Sequence, residues 1–148
     1  MKQGLLIFIV LAVVGLTAAC SAGSGQTGSA QPQAAVSTFA AQSNNEKAVT
    51  VEVTPLDLAN RGATLDFEVA FNTHSVALDF DPAAISVLRD STGREYPALA
   101  WEGDTPGGHH RQGTLRFTAP NPVTGFVDVV VRDVAGVPER VFRWSLPQ

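Results

Sequence analysis

From Lys47 onward apolar and polar residues alternate with a period of two. Val49, Val51 and Val53 alternate with Thr50, Glu52 and Thr54. Leu65, Phe67, Val69 and Phe71 alternate with Asp66, Glu68 and Ala70, and Val76, Leu78 and Phe80 with Ala77 and Asp79. The same rhythm returns at Leu115 and Phe117, at Val127, Val129 and Val131, and at Phe142, Trp144 and Leu146. Successive side chains on a strand point to opposite faces, so this pattern predicts strands with one buried and one wet face. Ile85–Arg89 and Tyr96–Trp101 are two further strand candidates.

Turn chemistry separates these runs. Asn60-Arg61-Gly62, Asp90-Ser91-Thr92-Gly93, Pro106-Gly107-Gly108, Pro120-Asn121-Pro122 and Ala135-Gly136 supply positive φ, fixed φ or local side-chain bonds. Asp81-Pro82-Ala83-Ala84 suits one helical turn capped by Asp81. No stretch sustains a 3.6-residue period. Roughly seven or eight short strands in about 100 residues predict an all-β, antiparallel, Ig-like β-sandwich over 47–148, with a small β-barrel as the alternative. The Cys…Trp…Cys signature of immunoglobulin domains is absent. Trp101 and Trp144 are expected to anchor the core, and the Tyr96 hydroxyl to bond backbone at a corner.

Before Lys47 the pattern is different. Residues 21–46 are dominated by Gly, Ser, Ala and Gln, with Glu46 the sole charge and Val36 and Phe39 the only sizeable apolar groups. Such a segment buries too little surface to offset its ordering entropy, so 20–46 is expected to be a flexible tether. A random coil of that length spans roughly 25–30 Å. A short helix around Gln33–Gln42 is the rival reading. Ahead of it, Lys2 precedes an apolar run from Leu5 to Leu16 and then small residues, the layout of a secretory signal over 1–19. The run falls short of the ~20 residues that a spanning helix needs.

The sole cysteine, Cys20, stands where such a signal would be cut. Leu16-Thr17-Ala18-Ala19-Cys20 resembles the lipobox of bacterial lipoproteins. The resemblance implies cleavage before Cys20, a diacylglyceryl group on its sulfur and acylation, palmitate for example, of its new amine. It also implies a cell-envelope location, extracytoplasmic and membrane-anchored by lipid. An ordinary secreted chain and an uncleaved anchor are the competing readings. A free thiol in an oxidising compartment is a liability, which favours the lipid.

The formal charge is −4, with 10 basic and 14 acidic residues among 148. That balance excludes the basic face of a nucleic-acid binder and leaves anchoring to the lipid rather than to anionic headgroups. Possible partners are an envelope protein or polymer. Three histidines carry the candidate chemistry. His109 and His110 lie in the long polar stretch Trp101–Gly113, and His74 in Asn72-Thr73-His74-Ser75. With Glu102, Asp104 or Asp79 as an oxygen donor, they would suit Zn(II) or Cu(II). The spacing matches no strong metal signature; a solvated loop is the plainer reading. Asp66, Glu68, Asp79 and Asp81 read more readily as a wet strand face than as a Ca(II) site. GxSxG, Walker and GxGxxG motifs are absent, so no catalytic residue is assigned and no cofactor is expected beyond a speculative metal. The function expected is a lipid-anchored binding or interaction module, with metal handling by the loop histidines as the alternative.

The stretch from Leu65 to Phe117, with Thr73-His74-Ser75, Glu95-Tyr96-Pro97-Ala98-Leu99 and Gly107-Gly108-His109-His110-Arg111, and beyond it Val137-Pro138-Glu139-Arg140, resembles a domain of uncharacterised exported prokaryotic proteins. That resemblance carries no activity.

Overall fold

The computed structural model describes residues 39–56, 58–59 and 62–146. The expected signal over 1–19, Cys20 and the tether up to residue 38 lie outside the described residues. So does the Asn60-Arg61 part of one expected turn.

Eight strands follow one another: β1 (Gln42–Glu46), β2 (Val49–Pro55), β3 (Thr64–Thr73), β4 (Ser86–Asp90), β5 (Glu95–Gly103), β6 (His110–Thr118), β7 (Phe126–Val134) and β8 (Val137–Ser145). Every pairing is antiparallel, and the spatial order is β1-β2-β3-β6-β5-β4-β7-β8. Strands β4, β5 and β6 are linked by hairpins and β7 returns beside β4, a Greek key. The fold is thus the expected all-β antiparallel body. Its single sheet curls almost to a barrel, so it lies between the two architectures that the pattern allowed. A register shift between Ala98 and Ala100 lets β5 serve both halves of the curl.

The inward rows are those of the alternation. Val49, Val51, Val53, Leu65, Phe67, Val69, Phe71, Leu88, Leu115, Phe117, Val127, Val129, Val131, Phe142 and Trp144 form one core. Each such side chain contributes about 1.5–3 kcal/mol relative to exposure. Phe67 meets Phe117 edge-on and Trp144 at a tilt. Trp144 is buried as expected, and its indole N–H donates to the Ala40 carbonyl at 2.9 Å.

Strand β1 is a correction to the expected tether. Residues 42–46 are a paired strand, in register with Val53 to Val49 of β2. Its inward positions, Gln42, Asn44 and Glu46, are polar, so alternation could not reveal it. They face β8 and join the two ends of the sheet. The Gln42 amide bonds both the backbone N–H and the carbonyl of Arg143. Arg140, 1% exposed, donates to Asn44 Oδ1 at 3.0 Å and to the Val134 and Glu46 carbonyls at 2.9 Å. Burial holds this guanidinium below its ordinary pKa, against the field of Glu46. The seam is therefore made by side chains, not by a backbone ladder.

The strand expected over Val76, Leu78 and Phe80 does not form. Leu78 is buried and Val76 and Phe80 half-buried, so the inward pattern holds. The Leu78 and Phe80 carbonyls, however, are taken by a guanidinium from β6, at 2.9 and 2.6 Å. Asp81 caps a turn rather than a helix, accepting from Ala83 N at 2.9 Å.

On the outside of β4, β7 and β8, Val130 is fully buried although it lies outside the core cluster. Its register partners are Val87 and Val141. A lattice of four charges spans its level. Glu95 takes Arg89 at 2.8 Å and Arg132 at 2.7 Å, and Glu139 takes both at 3.1 Å.

Candidate functional site

The outer face of the β1-β2-β3-β6 half carries a polar row. Asn45 pairs with Thr50, Thr50 with Asn72, and Asn72 with His110, all in direct register. His74 sits one pleat beyond Asn72 and diagonal to His110, a separation that long side chains span. The two imidazoles meet edge to face with centroids 6.3 Å apart. Both residues are exposed.

Two local devices hold this pair. On β3, the Thr73 hydroxyl donates to the Ala48 carbonyl at 2.8 Å and accepts from Ser75 N and Val76 N at 3.3 and 3.2 Å. That turn fixes the chain on both sides of His74. On β6, His110 Nδ1 lies 2.8 Å from Asn72 Oδ1. An amide oxygen has no proton to give, so the Nδ1–H donates and the neutral ring keeps its lone pair on Nε2. Beside the pair opens a cleft of about 300 Å³, lined by Asn45, Ala48, Thr50, Asn72, Thr73, His74 and Ser75.

The remaining members of the expected metal set stand elsewhere. Glu102 is ion-paired to Arg116 at 2.9 Å, and Asp104 Oδ2 accepts from Gln112 N at 2.8 Å. The His109 carbonyl accepts from Thr73 N at 2.9 Å, continuing the β3–β6 edge. Among the described residues no group of three or more His, Asp, Glu or Cys side chains is placed to hold a metal ion. The five-residue set of His74, His109, His110, Glu102 and Asp104 is therefore not assembled, and His74 with His110 is the part the fold brings together. The carboxylates are held apart by structural partners on the wet face. Asp66 likewise pairs with Arg116 at 2.9 Å, and Glu68 accepts from the Gln112 amide.

Under the loop between β5 and β6 lies a second feature. Arg111 is 2% exposed. It ties that loop to the β3–β4 crossover, donating to Leu78 and Phe80 carbonyls and, at 3.1 Å, to the Asp104 carbonyl. Its guanidinium sits between the rings of Phe80 and Trp101, 5.6 and 5.7 Å from their centroids. Trp101 is half-buried against the core, and its N–H donates to the Asp104 carbonyl at 3.0 Å. At the opposite end Tyr96 donates to Asp90 Oδ2 at 3.0 Å, a carboxylate rather than the expected backbone. Burial and the Asp90 carboxylate hold that phenol above its ordinary pKa.

Sequence reasoning found His74 and His110 but missed Asn72, Thr73, Arg111 and Arg140. Asn72 was legible in principle, as a polar residue continuing the wet row of β3. Nothing local marks the two arginines as buried. Comparison of the sequence with models of protein families matched none, and comparison with curated proteins matched none.

Proposed function

We propose that the chain is a lipid-anchored, extracytoplasmic binding module whose ligand is taken at the polar cleft beside His74. The observation that carries the binding reading is the cleft itself. Asn45, Thr50, Asn72 and His110 present amide, hydroxyl and imidazole groups in one row across four strands, next to about 300 Å³ of open volume. Such groups suit the hydroxyls and amides of an envelope polymer or of a peptide backbone. The anchoring half rests on Leu16-Thr17-Ala18-Ala19-Cys20 and its likeness to a lipobox. Several acyl chains at Cys20, each buried CH2 contributing ~0.8 kcal/mol, would hold the body at a membrane without a basic face. The module acts by binding, without catalysis.

Two experiments test the halves separately. Replacing Cys20 by Ser should move the protein from the membrane fraction to the soluble one; unchanged membrane association refutes the anchor. Filling the cleft by Thr50→Trp should abolish co-sedimentation of the protein with insoluble envelope polymer. Co-sedimentation equal to wild type, or none by the wild type, refutes the cleft.

A further inference from the structure

We propose that His74 and His110 form a two-imidazole site for a divalent transition-metal ion, with Cu(II) the tightest occupant. The ion deepens the cleft reading by adding a charged member to its rim, but it depends neither on the lipid anchor nor on any polymer.

Three observations converge. The first is proximity. The ring centroids are 6.3 Å apart, and two imidazoles bound to one ion at about 2.0–2.1 Å have centroids roughly 5–6 Å apart. His74 is exposed, and no described hydrogen bond holds its ring, so a small rotation closes the remaining gap. The second is the tautomer. Asn72 Oδ1 fixes the proton on His110 Nδ1, which leaves Nε2 as the donor atom. A metal-binding histidine is typically oriented in this way, through its other nitrogen. The third is backbone fixation. His110 opens β6 in register with Asn72, and the Thr73 hydroxyl pins the turn after His74, so both ligands project from ordered chain.

The donor set decides the metal. Imidazole nitrogens suit Cu(II), Ni(II) and Zn(II), and affinity peaks at Cu(II). Ca(II) and Mg(II) require oxygen donors, and Glu102 and Asp104 are committed to Arg116 and to Gln112 N. With two protein ligands the remaining positions belong to water or to a donor group of a molecule in the cleft. That makes the site an open one, of the kind that exchanges ligands.

The test uses the full chain in detergent, titrated with Cu(II) alone and read by electron paramagnetic resonance. The Cys20→Ser chain is run beside it to exclude sulfur coordination. The expected result is one ion per chain with two nitrogen couplings. His74→Gln and His110→Gln should each weaken binding at least tenfold and remove one coupling, Asn72→Ala should weaken it by about tenfold, and His109→Gln should change neither. Both variant sites are exposed, so apo melting temperatures should match the wild type. No saturable ion at one equivalent, retained couplings in the two histidine variants, or an equal loss in His109→Gln overturns the site. Each of these outcomes leaves the Thr50→Trp experiment to decide the cleft on its own.

Discussion

Arg140 and Asn44 stand 96 positions apart in the chain, and the guanidinium Nε donates to the amide oxygen at 3.0 Å. This bond joins the last strand of the sheet to the first. The same buried side chain holds the Val134 and Glu46 carbonyls, so its loss orphans three acceptors at once. Arg140→Met is expected to cost on the order of 3 kcal/mol, since each buried group left unbonded costs about 1–3 kcal/mol and water reaches part of the seam. Urea denaturation measures it. A loss below about 1 kcal/mol would mean that the β1–β8 seam contributes little.

The lattice over Val130 gives a pH dependence with a definite sign. The hydrogen bonds from Arg89 and Arg132 hold the Glu95 carboxyl below the ordinary carboxylate range, against a smaller opposing effect of burial. The stabilisation is therefore fully present above the unfolded pKa of about 4.3 and is lost as pH falls through the lower folded value. Glu95→Gln should melt below wild type at pH 7, and the difference should shrink toward zero in stronger acid. The side chain is 35% exposed, so the neutral-pH difference should stay within about 1 kcal/mol. A gap that widens on acidification contradicts the assignment.

Gly113 faces Gly103 across β5 and β6, under the Trp101 indole. A Cβ on Gly113 would lie 2.6 Å from the Gly103 Cα and 2.7 Å from Trp101. Gly113→Ala should destabilise by about 1–3 kcal/mol, because backbone on one side and a packed indole on the other leave nowhere to yield. Thermal melting followed by circular dichroism reads the shift; an unchanged transition would show that the two strands separate at low cost.

The β1–β2 connection is a two-residue turn between Glu46 and Val49, with Lys47 at φ 49° and Ala48 at φ 63°. Two positive φ values define the turn type that Asn-Gly prefers. Ala48→Gly should therefore stabilise by about 0.5–1 kcal/mol, the relief of left-handed strain exceeding the added chain entropy. A decrease in the urea midpoint would show that the Ala48 methyl packs usefully at the cleft.

Much of this architecture was readable because burial and alternation coincide. Phe67, Leu115 and Val129 point inward where period two places them. The reading failed where side chains do the work of backbone. β1 carries Gln42, Asn44 and Glu46 on its inward row and so shows no apolar signal. Leu78 and Phe80 follow the strand rhythm, yet their carbonyls bond the Arg111 side chain, and the Leu78 backbone pairs with Gly107 and Gly108 of a loop, not with a strand. Arginine in a sequence reads as a surface residue, and only the packed tertiary structure reveals that Arg111 and Arg140 are interior. The histidines were partly legible. The sequence grouped His74, His109 and His110, and the fold brings together His74 and His110 because β6 lies beside β3.

The side-chain seam between the end strands also has a mechanical meaning. Chain arriving ahead of β1 is first held where Phe39 packs against the core and the Ala40 carbonyl accepts from the Trp144 indole, so tension transmitted along it loads these contacts and then β1. There it meets the Gln42 clasp on Arg143 and, two and four residues later, the Arg140 grip on Asn44 and Glu46. These polar fasteners can exchange their partners for water and re-form once the load is removed. Under a tug the body would thus shed one strand reversibly and keep the remaining seven packed.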